Sequence, residues 1–558
     1  MKHELKVRHG GRILADALAG HGVDIAFGVP GESYLPVLDG FHDLRERMRF
    51  IVCRQEGGAS YMAEASAKLT GKPGVLFVTR GPGATNGAVG VHTAFQDSSP
   101  MVVFIGQVGT DFLERDAFQE IDYRRMYGPM AKWVGQIDRV ERIPEYVSHA
   151  FHTAMAGRRG PVVLALPEDM LFSQAAVADV PHYKVVRAAP ASSDMHEIER
   201  LLSKSSKPFV LLGGGGWDRP ACDALRAWVE SAGLPVGTSF RCQDLFDNRH
   251  PNFAGDLGFG ANPKLAERVR DADLVLAIGA RLDEITTAGY SLFEAPVPRQ
   301  KLIHVQPGAE DLGRVYQATL PVVSGMAKFV EALAKLKVDG SRWRKWTIAA
   351  HEDYVAWNTP QPIPGRLQYA EIVNWLDATL PEDAIVTGGA GNFSGWVHRY
   401  FRYRGFRTQL GPTNGSMGYG WPAAVAAKLV APTRTVVAVC GDGDFLMNGQ
   451  ELATAVQYGA PAIGLVVNNG MYGTIRMHQE REYPARVYGT ELKNPDFAAY
   501  ARAFGGHGEL VETTEAFAPA FERARASGKP ALIELRLDPE AITTSTTLTA
   551  LREKAQAK

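Results

Sequence analysis

Short apolar runs recur along the whole chain, and each of them ends at glycine, proline or a polar turn. Between them lie stretches of helical length that mix apolar and polar positions. An uninterrupted apolar run is typical of a strand covered on both faces, as in a parallel sheet flanked by helices. The alternation therefore predicts an α/β fold of doubly wound parallel sheets. The clearest strands read PGVLFVT, PMVVFIG, PVVLALP, PFVLLGG, ADLVLAIG, DAIVTGG, TVVAVCGDG and IGLVVNN.

Two stretches predict linkers that divide the chain into three parts. Residues 173–195 are rich in Ala, Pro and Ser, and residues 338–365 end in a proline-rich segment that should be extended. Because 558 residues are too many for a single hydrophobic core, several domains are expected. We predict three consecutive doubly wound domains over 1–172, 196–337 and 366–540, followed by a polar tail at the surface.

Composition narrows the classes of function. Lys and Arg number 60 against 61 Asp and Glu, so no basic excess indicates nucleic acid as a partner. No apolar stretch is long enough for a membrane span, and the start of the chain lacks the apolar core of a signal peptide. The four cysteines have no CxxC spacing, which favours a reducing compartment over a disulfide framework. We therefore expect a soluble enzyme of the cytoplasm.

One strand–helix–strand unit carries polar residues at both strand ends. The first strand ends in GDGD and the second in NN, and the residues are Gly441, Asp442, Gly443, Asp444, Asn468 and Asn469. Carboxyl ends of neighbouring parallel strands meet at one edge of a sheet, where helix N-termini favour phosphate. Mg²⁺ prefers oxygen ligands and shares its shell with phosphates. Candidate ligands are the carboxylate of Asp442, the amide oxygen of Asn469 and the backbone carbonyl of Met471.

These paired motifs resemble the thiamine-diphosphate-binding signature, and two further segments carry the same resemblance. CRQEGGASYMAEASAKLTGKPGVLFVTRGPGATN (53–86) is similar to the family's pyrimidine-binding domain and puts Glu56 on its catalytic glutamate. LGPTNGSMGYGWPAA (410–424) is similar to its glycine-rich turn, with Gly415 and with Met417 as the residue that wedges the cofactor into a V shape. The three domains would then be pyrimidine-binding, middle and diphosphate-binding.

The resemblance implies a mechanism for Glu56. In this family the cofactor's own 4′-imino group deprotonates the thiazolium C2, and a carboxyl group bonded to pyrimidine N1′ drives that tautomer. We expect such a carboxyl group to be largely buried, with its pKa raised by desolvation.

Over nearly the whole chain the resemblance is closest to acetolactate synthases. FGVPGESYLPVLDGF (27–41) looks like the loop that places a backbone N–H near the reacting carbonyl, at Gly31. Phe118, Gln119 and Lys132 match residues that line the synthase channel; core packing is the alternative for Phe118 and a surface position for the other two. The resemblance also implies a homodimer or tetramer with the active site at the subunit interface, because the glutamate-bearing domain faces another subunit's diphosphate-binding domain.

Three segments depart from the synthases. Ile285 replaces the arginine that recognises the second substrate's carboxylate, and an apolar side chain cannot form that charged bidentate hydrogen bond. His478 replaces the tryptophan of the acceptor pocket, so it is a candidate proton donor or substrate contact, or else a solvated helix residue. Nearby, Arg476 is another candidate partner for a carboxylate. The synthase segment GQHQ, which contacts the diphosphate, reads GNFS here, and its candidate residues are Gly391, Asn392 and Ser394.

FAD is an option for the middle domain. Acetolactate synthases hold a redox-silent FAD there, whereas related members bind no flavin and some bind ADP. LLGGGGWDRP (211–220) follows a strand and could approach a nucleotide diphosphate. The synthase segment HIDID reads HVQPG (304–308), however, and lacks both acids.

The resemblance implies a lyase or carboligase that depends on thiamine diphosphate and Mg²⁺. A 2-oxo acid of the pyruvate type is decarboxylated and the enamine adds to a carbonyl acceptor, with Gly31, Gln119 and His478 orienting and protonating. The alternatives are a benzoylformate-type decarboxylase, a 2-hydroxyacyl-CoA lyase and, from another class, a catalytically silent regulatory subunit that binds the cofactor. A Rossmann dehydrogenase is discarded, because GGGG lacks the GxGxxG context and its following acid.

Overall fold

Three six-stranded parallel sheets follow one another along residues 5–557, the part of the chain that the computed structural model describes. The expected α/β fold with three parallel sheets is confirmed. Each sheet lies inside one of the three ranges predicted for domains, while the exact domain boundaries stay a prediction. Within residues 5–557, no helix has the length and apolar character needed to cross a membrane.

The first sheet belongs to the amino-terminal part of the chain. Its strands and a flanking pair are β1 (Val7–His9), β2 (Ile25–Gly28), β3 (Arg49–Val52), β4 (Gly74–Val78), β5 (Met101–Gln107), β6 (Trp133–Gln136), β7 (Pro161–Pro167) and β8 (Gln174–Ala176). The helices are α1 (Gly10–Gly20), α2 (Leu35–Asp43), α3 (Glu56–Thr70), α4 (Pro82–Asp97), α5 (Tyr123–Tyr127), α6 (Ile143–Met155) and α7 (Glu168–Phe172). The sheet order is β3-β2-β4-β5-β7-β6, and β1 pairs with β8 antiparallel.

The middle sheet has the order β11-β10-β9-β12-β13-β14 once its strands are numbered along the chain. These strands are β9 (Pro208–Leu212), β10 (Val236–Thr238), β11 (Phe253–Asp256), β12 (Leu274–Ile278), β13 (Lys301–Gln306) and β14 (Leu320–Val323). The helices are α8 (Ser192–Lys204), α9 (Arg219–Ala232), α10 (Pro263–Asp271), α11 (Met326–Leu333) and α12 (Arg344–Trp357).

The third sheet carries the GDG and NN motifs. Its strands are β15 (Ile385–Gly388), β16 (Gln409–Leu410), β17 (Val436–Gly441), β18 (Ile463–Asn468), β19 (His507–Val511) and β20 (Ala531–Arg536), in the order β16-β15-β17-β18-β20-β19. The helices are α13 (Tyr369–Thr379), α14 (Ser394–Tyr400), α15 (Gly420–Val430), α16 (Asp442–Phe445), α17 (Leu452–Gln457), α18 (Gly473–Glu482), α19 (Phe497–Ala503), α20 (Thr514–Ala526) and α21 (Leu548–Gln556).

The apolar runs form the buried strands as expected. Every residue of β4, β5, β7, β9 and β12 is buried. Burying one large aliphatic side chain stabilises a fold by about 1.5–3 kcal/mol, so these central strands carry much of the stability of each core. Both faces are covered by helices, which explains why the runs show no alternation of apolar and polar residues.

The predicted linkers and tail contain regular structure that the sequence pattern did not reveal. Residues 173–195 begin with β8 and end in α8, and residues 338–365 contain α12. Trp343, Ala350 and Tyr354 are buried there, so the prediction of a plain linker is wrong for this stretch. The surface tail contains α21, which an ion pair described below joins to α18.

By its internal contacts the chain forms two units. Among the described residues, the first unit combines 5–186 with 425–430 and 448–458, and it contains the first sheet. The second contains the middle and third sheets. A short segment between the GDG and NN motifs thus belongs to the first unit, although the neighbouring sequence belongs to the second.

Candidate active site

The carboxyl ends of β17 and β18 bring Asp442 close to the NN motif. The side chain of Asp442 is 3 % exposed, and its Oδ2 accepts a hydrogen bond of 2.9 Å from the N–H of Gly470. Burial is the main cause that raises the pKa of Asp442 above its ordinary value. A bound cation would stabilise the ionised carboxylate. The neighbouring amide oxygen of Asn469 and the carbonyl of Met471 are hard oxygen ligands, so the donors present fit Mg²⁺.

The two asparagines of NN have different surroundings. Asn468 donates a 2.8 Å hydrogen bond to Glu534 on β20, which fixes its side chain to the neighbouring strand. The Oδ1 atom of Asn469 accepts a longer hydrogen bond of 3.3 Å from the N–H of Met471. Within residues 5–557, no three His, Cys, Asp or Glu side chains are grouped to hold a metal. A metal site here would therefore depend on amide and backbone oxygens as well as on Asp442.

Asn494 is a site residue that the sequence analysis missed. Its Nδ2 donates to Oδ2 of Asp442 at 2.7 Å and to Oδ1 of Asn468 at 2.9 Å. It therefore links the ends of both strands from outside the motif. The segment around it has no regular structure and no recognisable pattern, so only the folded chain reveals this contact.

Asp444 holds two glycine-rich turns together. Its Oδ1 accepts hydrogen bonds from the N–H of Gly418 at 2.8 Å and from the N–H of Ala390 at 3.1 Å. Burial raises the pKa of Asp444 to about 6. The residue was expected to bind the cofactor, and its observed contacts are with the backbone of the turns. In the turn that contains Gly418, Gly415 has φ 67° and lies two residues before the half-buried Met417.

The candidate diphosphate donors already have partners inside the chain. The hydroxyl of Ser394 donates to the carbonyl of Gly391 at 2.7 Å. The amide nitrogen of Asn392 donates to the carbonyl of Ile542 at 3.1 Å, and its oxygen accepts from Thr474 at 2.9 Å. Both side chains therefore order the start of α14 and its surroundings, and their role as diphosphate donors stays a prediction.

Glu56 is the first residue of α3, directly after the carboxyl end of β3. The preceding Gln55 caps the helix, because its side chain accepts a 3.1 Å hydrogen bond from the N–H of Gly58. Asn86, from the GPGATN run, donates to Oε2 of Glu56 at 3.0 Å. The single chain leaves Glu56 half-buried, so the expectation of a largely buried carboxyl is wrong for the isolated subunit. Because β3 is the outermost strand of the first sheet, the start of α3 lies beside the end of an edge strand.

Gly31 and Gln119 lie against the segment that links β4 to α4. A Cβ atom added to Gly31 would lie 2.6 Å from Cβ of Thr79, so only glycine permits this approach. A Cβ atom added to Gly81 would lie 2.8 Å from the carbonyl oxygen of Gln119, a residue with φ 65°. A Cβ atom added to Gly83, in the next turn of this segment, would lie 3.2 Å from Oε1 of Glu56. The structure therefore brings Gly31, Gln119 and Glu56 to one edge of the first sheet.

Phe118 and Lys132 have different surroundings in the single chain. Phe118 is 74 % exposed in the single chain, which excludes the alternative of core packing. Lys132 directly precedes β6 and thus lies at the amino-terminal edge of the sheet, away from Glu56. Its Nζ donates to the carbonyls of Thr153 and Ala156 at the end of α6, where a positive charge is favourable. The channel position expected for Lys132 stays a prediction.

Arg476 is held by an acid on its own helix. Its guanidinium donates to Glu480 at 2.9 and 3.0 Å, and the fully buried Glu480 also binds Arg552 of α21 at 2.7 and 2.8 Å. The hydrogen bond from Arg552 is the main cause that lowers the pKa of Glu480 to about 2. His478 is exposed and its Nδ1 lies 2.6 Å from Nη2 of Arg481. The single chain thus gives Arg476 a structural partner and His478 a solvated position.

Close packing accounts for the first glycines of GGGG in the middle domain. A Cβ atom added to Gly213 would lie 2.1 Å from Oγ of Ser239, and one added to Gly214 would lie 2.2 Å from the carbonyl oxygen of Gly279. In the HVQPG segment, Gln306 donates to the carbonyl of Ala280 at 2.7 Å. Contacts within the chain therefore account for Gly213, Gly214 and Gln306 without a bound nucleotide. Binding of FAD stays a prediction.

Ile285 lies half-buried in the loop after β12. Asp283 shapes this loop, because its Oδ1 accepts a 2.9 Å hydrogen bond from the N–H of Thr286. The side chain at position 285 provides no charge for a substrate carboxylate.

Comparison with known proteins identifies all three parts of the chain. The family models described as thiamine pyrophosphate enzyme N-terminal TPP binding domain, central domain and C-terminal TPP binding domain match residues 8–126, 195–333 and 389–535. The acetolactate synthase large subunit of Corynebacterium glutamicum is 32% identical over 552 residues, covering 95% of this chain and 87% of the relative. The isozyme 2 large subunit of Escherichia coli is 30% identical over 538 residues, covering 95% and 96%. The chain therefore belongs to the family of thiamine-pyrophosphate enzymes that includes the acetolactate synthase large subunits.

Proposed function

We propose that the protein is a lyase or carboligase, dependent on thiamine diphosphate and Mg²⁺, that acts on a 2-oxo acid in the manner of acetolactate synthase. The observation that carries this proposal is the buried carboxylate of Asp442 beside Asn469 at the ends of two neighbouring strands. When bound, the cofactor supplies the carbanion that attacks the 2-oxo acid and takes up the electrons released with CO₂.

The chain's own residues would hold the metal and move protons. Asp442, Asn469 and the carbonyl of Met471 would bind Mg²⁺, which in turn would hold the diphosphate. Glu56 would bind the pyrimidine N1′ and exchange a proton with it, and Asn86 keeps its carboxylate oriented through the 3.0 Å hydrogen bond. Gly31 is proposed to donate its N–H to the carbonyl of the substrate.

The acceptor side of the reaction has its own candidate residues. Gln119 and His478 are proposed to orient the acceptor and to provide a proton. Ile285 is apolar, Arg476 is engaged by Glu480, and Lys132 caps a helix on the far edge of the sheet. The position where the synthases have an arginine for the carboxylate of a second 2-oxo acid is therefore occupied by an apolar side chain, and the other two candidate cations have partners within the chain.

The same contacts favour a second candidate reaction. A decarboxylase that adds only a proton, or a lyase that uses a neutral acceptor such as an aldehyde, needs no cation for an acceptor carboxylate. A benzoylformate-type decarboxylase or a 2-hydroxyacyl-CoA lyase would therefore suit a site with isoleucine at position 285.

A homodimer or tetramer with the active site at the subunit interface is part of the proposal. It would add partner surface beside the half-buried Glu56 and the exposed Phe118. Light scattering on the purified protein measures the oligomeric state directly, and a monomer with full activity would contradict this part.

The decisive experiment is incubation of the purified protein with thiamine diphosphate, Mg²⁺ and pyruvate, with CO₂ and products followed by NMR. Acetolactate as product supports the carboligase, and acetaldehyde with CO₂ supports the decarboxylase. The matched control is Glu56→Gln, which keeps the size of the side chain and removes its acid. If exchange of the cofactor's C2 proton is as fast in Glu56→Gln as in the native protein, the proposed activation is wrong.

A further inference from the structure

A buried carboxylate lies under the turn that leads into α3. Glu451 ends the 3₁₀ turn Gly449–Glu451 and is fully buried. Its Oε1 accepts hydrogen bonds of 3.0 Å from the N–H of Arg54 and 3.0 Å from the N–H of Gln55. These two N–H groups directly precede Glu56, so the carboxylate of Glu451 fixes the backbone from which the proposed catalytic side chain leaves.

The surroundings of Glu451 are built around its carboxylate. A Cβ atom added to Gly58 would lie 2.7 Å from Cγ and 2.7 Å from Oε1 of Glu451, so only glycine leaves room for the acid. The hydroxyl of Thr454 donates to Oε2. Burial raises the pKa of Glu451, while these hydrogen bonds act in the opposite direction. A buried acid with several donors is a specific and costly arrangement, since the loss of its partners would leave polar groups unpaired.

The rest of the segment anchors the same region by separate contacts. The hydroxyl of Tyr458 accepts a 2.9 Å hydrogen bond from the N–H of Val52 on the edge strand β3. Arg54 donates from Nη2 to Gln457 at 2.7 Å. The segment therefore has one contact set on the strand, at Tyr458, and another on the turn, at Glu451. The two sets can be removed independently.

We propose that Glu451 is a positioning residue for Glu56: it holds the Arg54–Gln55 backbone so that Glu56 meets the pyrimidine of the cofactor in the productive direction. This inference rests on the proposed role of Glu56 in activating the cofactor. Glu56 is half-buried, and the hydrogen bond from Asn86 constrains only one of its carboxylate oxygens. A fixed backbone is therefore the second constraint on its position, and a misplacement of about 1 Å costs about a hundredfold in rate.

The test measures C2 proton exchange of bound thiamine diphosphate, together with cofactor affinity, kcat and KM, in three variants. Glu451→Gln keeps the shape and one acceptor oxygen, but its NH₂ group cannot accept the hydrogen bonds that Oε2 accepts from the hydroxyl of Thr454 and from the N–H of Arg54. We expect exchange and kcat to fall about tenfold with KM unchanged. Glu451→Ala removes both acceptors, and we expect about a hundredfold loss. Tyr458→Phe removes the strand anchor, leaves the turn contacts intact and should exchange at the native rate.

The outcomes separate this inference from the proposed function. Native exchange in Glu451→Gln, with exchange abolished in Glu56→Gln, would overturn the positioning role and leave the function standing. Native exchange in Glu56→Gln would overturn both. An equal loss in Tyr458→Phe would mean that docking of the whole segment matters and that the Glu451 contacts have no special role. If Glu451→Ala does not fold, Glu451→Gln decides alone, because it retains a side chain of the same size.

Discussion

Asn494 donates a hydrogen bond of 2.7 Å to the carboxylate of Asp442, although 52 residues separate the two along the chain. The same amide binds Asn468, so it holds the candidate magnesium ligand against the neighbouring strand. We expect Asn494→Ala to weaken Mg²⁺ binding about tenfold to a hundredfold, as is usual when a group that orients a metal ligand is lost. Titration of activity against Mg²⁺ at saturating thiamine diphosphate measures the effect. An unchanged titration curve would show that Asp442 needs no such support.

The ion pair of Arg552 with Glu480 predicts a pH-dependent stability. Because the folded pKa of Glu480 is about 2 and the ordinary value is 4.5, its ionised form stabilises the fold. That contribution is fully present above pH of about 4.5 and is lost as the pH falls through about 2. Glu480→Gln should therefore lower the thermal midpoint at neutral pH and flatten its decline in acid.

The neighbouring exposed pair of Arg481 and Glu482 provides the control for this experiment. Exposed ion pairs contribute about 0–1 kcal/mol, so Glu482→Gln should leave the thermal midpoint and its pH dependence nearly unchanged. Equal effects of the two substitutions would mean that burial of Glu480 has no special consequence.

Lys132→Met should affect stability and leave catalysis unchanged. The substitution removes a positive charge and two donors from the end of α6, and we expect a loss of about 0.3–1 kcal/mol. Thermal unfolding and kcat/KM with pyruvate, measured side by side, check this expectation. A raised KM with an unchanged thermal midpoint would return Lys132 to the substrate channel.

Ile285→Arg should improve the use of a 2-oxo acid as acceptor. A charged hydrogen bond contributes about 1.5–3 kcal/mol, which corresponds to roughly tenfold to a hundredfold in kcat/KM for that acceptor. Ile285→Met is the matched control, because it adds length without charge. Product formation from pyruvate with a second 2-oxo acid is the readout, and no difference between Arg and Met would show that position 285 does not face the acceptor.

The sequence predicted those parts of the fold that depend on local patterns. Uninterrupted apolar runs predicted the three parallel sheets, because a strand that is buried on both faces has apolar residues at nearly every position. The GDG and NN motifs gave the location of Asp442 and Asn469, since both end a buried strand. The helix α12 escaped notice because a proline-rich stretch follows it and its buried positions are few.

Long-range contacts could not be predicted in the same way. Asn494 and Glu451 act through single side chains in segments without a distinctive pattern, and their partners lie far away in sequence. The position of Lys132 depends on which edge of the sheet a residue occupies, which a short match of three residues does not define. The half-buried state of Glu56 depends on the surfaces that surround it, and these are properties of the folded chain.

The membership of residues 448–458 in the first unit has a consequence for protein engineering and for evolution. A fragment that stops near residue 186 would lack Glu451 and Tyr458, and the exposed edge of β3 would be free to pair with strands of other molecules. A chimera that exchanges the first unit between relatives would have to carry residues 448–458 along with it, together with residues 425–430. Arg54 and Glu451 lie 397 positions apart, yet Glu451 would have to travel with the first unit to keep its hydrogen bond to the backbone N–H of Arg54.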